Sequence, residues 1–215
     1  AVCAWPANAF KLAGDHIRSP WAENVDVNDV WSEYPRPLMQ RDQWLNLNGL
    51  WDYAITPLQV SKPTTWDGKI MVPFCVESAL SGVGKSLDEN HALWYRTSFQ
   101  LPKKWKKDSH IILNFGAVDW SAEVWVNGNM VGSHTGGYTA FSINITASVL
   151  RKGENELIVR VLDATDVGYQ PCGKQRSKAR GIWYTPVSGI WQTVWIEPVP
   201  QAHFERIYCH PNIKE

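Results

Sequence analysis

The sequence has no surplus of either charge: 21 Lys and Arg stand against 21 Asp and Glu. A balanced chain exerts no long-range pull on phosphate, which argues against a nucleic-acid partner or an anionic membrane surface. The one dense basic run, KKWKK at 103–107, sits between Pro102 and Asp108 and reads as a solvated loop. Long apolar runs are missing as well, and nothing approaches the ~20 residues that cross a bilayer. Cysteine is sparse: Cys3, Cys75, Cys172 and Cys209 lie far apart and form no C-x-x-C pair. That spacing excludes zinc ribbons and thioredoxin-type sites and leaves the disulfide state open.

Catalytic signatures are equally thin. The six histidines show no H-E-x-x-H or i,i+4 pairing, so no metal site is expected. No G-x-S-x-G elbow occurs. Ser81–Ser86 (SGVGKS) misses the Walker spacing, and no helix follows to receive a phosphate. No cofactor is expected. Sustained helical periodicity is absent too, and so is any internal repeat of 20–50 residues.

What is present is strand after strand. GLWDYAI (49–55), WYRTSFQL (94–101), HIILNF (110–115) and NELIVRVL (155–162) are short and bounded by turn residues. AEVWVNGNMVG (122–132) puts Ala122, Val124 and Val126 on one face and Glu123 and Trp125 on the other. Its Asn127-Gly128 suits a type I′ hairpin turn, in which both central residues need positive φ. A shorter strand is expected over 139–145, one helical turn over 146–150, and a last strand over 190–196. Seven or more such strands with almost no helix predict an all-β fold, a jelly-roll β-sandwich. Residues 1–40, with Pro6, Pro20, Pro35 and Pro37, read as an irregular arm over the sandwich, anchored by Trp21, Trp31 and Tyr34.

Two loops are long for plain connectors, 76–91 and 163–188. The second concentrates Asp166, Tyr169, Gln170, Lys174, Gln175, Arg176, Lys178 and Arg180, and ends in Gly181-Ile182-Trp183. Planar hydrogen-bonding groups beside aromatic faces suit a polyhydroxylated ligand. They equally suit the surface of a solvated loop. Trp183 is the tryptophan of this stretch placed to approach a ligand. Trp191 and Trp195 are expected to be covered by the arm or a neighbouring domain. Asn144-Ile145-Thr146 is a formal glycosylation sequon.

WYRTSFQLP at 94–102, VWVNGNMVGSHTGGYTAFSINIT at 124–146, KGENELIVRV at 152–161 and TPVSGIWQTVWIEPV at 185–199 occur in that order. Together they closely resemble the N-terminal sugar-binding domain of glycoside hydrolase family 2, over roughly residues 40–200. TDVGYQPCGKQ looks most like bacterial members called β-galactosidases. The resemblance implies a sandwich domain at 41–200 and, in 201–215, the start of an immunoglobulin-like domain. It also implies a (β/α)8 barrel beyond, carrying two glutamates for retaining hydrolysis of a β-glycoside. A barrel alone takes ~250 residues, so residues 1–215 are expected to hydrolyse nothing by themselves.

By the same resemblance an Asn and an Asp of this domain reach the substrate, and Asn90 and Asp166 match them by position. Tyr169, Gln170, Lys174, Gln175, Arg180 and Trp183 complete the candidate substrate-binding set, with no catalytic residue among them. The expected partners are a β-linked carbohydrate and the enzyme's own further domains, with an oligomer compatible with the family. A packing domain that never touches sugar and an independent lectin-like module stay open as alternatives. Ala7-Asn8-Ala9 resembles the end of a secretory signal peptide, so residues 1–9 read as a remnant or tag and the protein as exported, periplasmic or extracellular.

Overall fold

The computed structural model describes residues 10–14 and 16–213; the suggested remnant at 1–9 lies outside them. Among the described residues twelve strands form, all paired antiparallel: β1 Leu45–Asn46, β2 Gly49–Pro57, β3 Gly68–Val72, β4 His91–Phe99, β5 His110–Phe115 and β6 Val118–Asp119, followed by β7 Ser121–Val126, β8 Asn129–Thr135, β9 Phe141–Asn144, β10 Asn155–Leu162, β11 Gly189–Ile190 and β12 Val194–Val199. One sheet runs β3-β2-β4-β10-β7-β8, the facing one runs β1-β12-β5-β9, and β6 pairs with β11. The fold is a jelly-roll β-sandwich. Among the described residues the only helical pieces are short 3-10 turns.

The alternating pattern builds the two layers directly. Ala122, Val124 and Val126 of β7 and Leu157, Val159 and Val161 of β10 are buried completely. Ile111, Leu113 and Phe115 of β5 meet them from the other sheet in one continuous core. Asn127 (φ 50) and Gly128 (φ 80) make the expected left-handed hairpin turn. Asn127 also ties the turn to its surroundings, its Nδ2 donating to Ser148 O and Asn155 Oδ1 at 2.8 Å each.

Two expectations need correcting, and two strands escaped the sequence reading. The strand expected over 190–196 is two strands, β11 and β12, which belong to different sheets. The break falls at 191–193, where the chain passes from one sheet to the other; Trp191 N–H still donates to Ala117 O at 3.3 Å and Gly116 N–H to Thr193 O at 2.9 Å, and side chains add to them. Val194 N–H donates to Asn48 Oδ1 at 3.0 Å, and Asn48 Nδ2 to Thr193 Oγ1 at 3.3 Å. The strands β1 and β3 carry no alternation long enough to read: β1 has two residues, and Ile70, Met71 and Val72 of β3 are all buried. The arm, finally, is not anchored by Trp21, which stays 74% exposed.

The arm grips the outer face of β12 instead. Trp195 is buried, with Tyr34 edge-on at 6.4 Å and the Arg36 guanidinium over its ring at 5.3 Å. Glu197, also buried, accepts from the Tyr34 hydroxyl at 2.8 Å and pairs with Arg36 and with Arg41. A carboxylate shared by two guanidiniums and a phenol offsets the cost of its desolvation. Trp195 is therefore covered by the arm, as expected. Trp191 is half-buried, its Nε1 donating to Gly137 O at 2.7 Å and its ring edge-on to Tyr138.

Candidate functional site

Register decides where the two long loops meet. Val161 of β10 pairs with Leu93 of β4, so the start of β4 and the end of β10 lie side by side. The 76–91 loop enters β4 and the 163–188 loop leaves β10, both at that end of the sandwich. Their bases are joined. Val76 N–H donates to Ser188 O at 3.3 Å, and Ser188 N–H donates to Glu77 Oε2 at 2.9 Å.

Beneath the loops three carboxyl groups are buried: Glu77, Asp119 and Asp163. Asp163 is well supplied with donors. Its Oδ1 accepts from Thr165 N–H at 2.7 Å and Gln170 Nε2 at 2.6 Å, and its Oδ2 from the Ser188 hydroxyl at 2.6 Å. Glu77 Oε1 and Asp119 Oδ1 have no hydrogen-bond partner. Burial pushes both carboxyls up to about 7; the charge of Asp163 adds to the rise, and the Ser188 N–H opposes it at Glu77. Burial and Glu77 likewise raise the Cys75 thiol to about 11. This nest fastens the root of the loop, and no three of its His, Cys, Asp or Glu groups, or of any others described, are arranged to hold a metal.

Above the nest the 163–188 loop folds on itself. Tyr184 N–H donates to Lys174 O at 2.9 Å and Arg176 N–H to Tyr184 O at 3.0 Å. This brings Asp166, Arg176, Lys178, Arg180 and Trp183 around one open depression of about 660 Å³. Asp166 Oδ1 accepts from Ser177 N–H at 3.1 Å, a bond that holds its carboxyl below the usual range. The Arg176 guanidinium lies 4.0 Å from the centre of the Trp183 ring, covering one of its faces. It is held there by Gln175 O and Cys172 Sγ, at 2.7 Å and 3.2 Å from Nη1.

The candidate residues thus separate by position. Asp166, Arg180 and Trp183 share the depression. Gln170 and Gln175 turn inward as fasteners of the loop. Gln170 bonds Asp163, and Gln175 Oε1 accepts from Val187 N–H at 2.6 Å. Lys174 stands over the Tyr184 ring at 5.7 Å, away from the depression, and Tyr169 is fully exposed. Asn90 is exposed beside β4, its N–H bonded to Asp88 Oδ1 at 2.9 Å. The nest itself escapes sequence reasoning. Asp163 directly after the apolar face of β10 is its one local sign, whereas Glu77 and Asp119 are far away in sequence.

The described residues form a two-layer antiparallel sandwich with its long loops gathered at one end. Residues 69–196, more than half of the chain, match the family described as glycosyl hydrolases family 2, sugar binding domain, and the chain belongs to that family. Among curated relatives, a β-galactosidase of Thermoanaerobacter pseudethanolicus is 28% identical over 124 residues, covering 58% of this chain and 16% of the relative. A β-glucuronidase of Paenibacillus borealis is 25% identical over 147 residues, covering 66% and 24%. Among solved structures, a β-glucuronidase of Ruminococcus gnavus in complex with D-glucuronic acid superposes with TM-score 0.60 at 22% identity. It covers 79% of this chain and 31% of that one, and shows the shared fold. The chain spans at most about a quarter of the length of these curated relatives. Their names include β-glucuronidase as well as β-galactosidase, so the expected lean toward β-galactosidase gains no support.

Proposed function

We propose that this domain presents its β4–β10 end to the substrate of a retaining β-glycosidase and contacts the sugar without performing the chemistry. The observation that carries the reading is the meeting of the two long loops at one end, with Asp166 in an open depression beside Trp183 and Arg180. Asp166 is already oriented by the Ser177 N–H and keeps acceptor capacity for a hydroxyl. The acid/base and nucleophile belong to a barrel elsewhere in the full-length enzyme.

A packing role has its own support. Val167, Tyr169, Ile182 and Tyr184 stand exposed on the same loop, as side chains that dock against another domain would. Kinetics of the full-length enzyme separate the two. Asp166→Ala is expected to lower kcat/KM about tenfold or more, the loss of a charge-assisted hydrogen bond, with thermal stability unchanged. Asn90→Ala is expected to lower it less. Unchanged kcat/KM in both variants would leave only the packing role.

A further inference from the structure

Between residues 163 and 188 four cations, Lys174, Arg176, Lys178 and Arg180, accompany two carboxylates, and one of these, Asp163, is buried in the nest. In a chain of zero net charge this is a marked local excess. Three of the four cations converge on the depression, opposed there by Asp166 alone. Arg176 is already committed: it stacks on Trp183, bonds Gln175 O, and lies 3.9 Å from Asp166 Oδ2. Lys178 and Arg180 are exposed, and their side chains make no hydrogen bond or ion pair among the described residues. Bringing like charges together costs free energy that a bound anion returns. A guanidinium also presents the planar fork that a carboxylate or sulfate accepts two-pronged.

We infer that the depression takes a glycoside bearing a negative charge, a carboxylate or a sulfate ester, held by Arg180 and Lys178. Asp166 receives a hydroxyl of the same sugar, and the Arg176–Trp183 stack forms the wall. At about 660 Å³ the space falls within the range of small-ligand clefts. The inference rests on the proposed sugar-contacting role and adds the charge of the ligand.

Heteronuclear NMR titration of the 215-residue chain tests it with matched pairs. These are methyl β-D-glucuronide against methyl β-D-glucoside, and methyl β-D-galactoside 6-sulfate against methyl β-D-galactoside, with inorganic sulfate alone. One charged glycoside is expected to bind about tenfold tighter than its neutral partner, shifting Lys178, Arg180 and Trp183 resonances. Which one does so tells carboxylate from sulfate ester. Arg180→Gln with Lys178→Gln is expected to erase that preference, bringing the charged glycoside down to the affinity of its neutral partner. Raising salt from about 0.05 to about 0.5 M should erase most of it as well. Equal affinity for charged and neutral sugars overturns the inference and leaves the proposed role standing. Inorganic sulfate binding as well as the charged sugars reduces the depression to an adventitious ion site only and also overturns it. No response at 163–188 to any sugar overturns the inference, and the kinetics of the full-length enzyme then decide the proposed role.

Discussion

Raising the pH from about 4 to about 7 is expected to lower the unfolding free energy of this domain by several kcal/mol. The cause is the pair of buried carboxyls with unpartnered oxygens, Glu77 and Asp119, both pushed up to about 7. Unfolded, they return to values of 4.5 and 3.8. Each therefore holds its proton more tightly in the fold than out of it. Their contribution is complete below the unfolded values and is lost as pH rises through the folded ones. One pH unit between the folded and unfolded values is worth about 1.36 kcal/mol, so each carboxyl accounts for about 3–4 kcal/mol. Asp163, Gln175, Ser188, Tyr95 and Cys75 surround the pair, and burial outweighs the hydrogen bonds that oppose it. Glu77→Gln keeps an acceptor for the Ser188 N–H and cannot ionise. Urea unfolding across this range should show its slope against pH reduced by one carboxyl's share, and Asp119→Asn should act alike. Slopes equal to that of the unmodified protein in both variants would contradict this role for the nest.

Gly189→Ala should cost about 3–5 kcal/mol, enough to unfold much of a domain of ordinary stability. Two independent effects add. Gly189 has φ +89, a conformation that L side chains rarely adopt. A Cβ there would also fall on the Tyr95 hydroxyl and lie 3.0 Å from Leu93 Cδ2. Tyr95 cannot retreat: it is fully buried, edge-on to Trp51 at 6.3 Å, and its hydroxyl accepts from Ile190 N–H at 3.2 Å. Gly128→Ala isolates the backbone effect, since its φ is +80 and no atom lies within 4 Å of a Cβ there. Its cost should be about 1 kcal/mol. Tyr95→Phe combined with Gly189→Ala should recover part of the loss, because the clashing oxygen is gone. A Gly189→Ala protein as stable as Gly128→Ala would show that the β4–β11 contact is looser than described.

The sandwich was legible where one face of a strand is buried and the other is not. HIILNF and NELIVRVL became β5 and β10 with unchanged ends, because their alternation and flanking turn residues leave one solution. The Asn127-Gly128 hairpin followed from backbone chemistry alone. Legibility failed where the chain leaves one sheet for another, as at Trp191–Thr193, and where burial on both faces removes alternation, as in β3. The long loops stood out by length, yet the inward roles of Gln170 and Gln175 did not. An amide that fastens a loop and one that binds a sugar look the same in sequence. The nest was hidden for a different reason. It gathers Glu77, Asp119, Asp163 and Ser188 from four separate segments, and pairings of that range are written in topology rather than in any local pattern.

Contact between Asp166, its loop and the sugar is tested most directly by a structure of the full-length enzyme with a bound β-glycoside. The expected result is an Asp166 carboxylate oxygen within about 2.5–3.2 Å of a sugar hydroxyl, with Trp183 and Arg180 bordering the same ring. A bound glycoside with Asp166 turned to solvent, or sealed against protein beyond reach of the sugar, would contradict it.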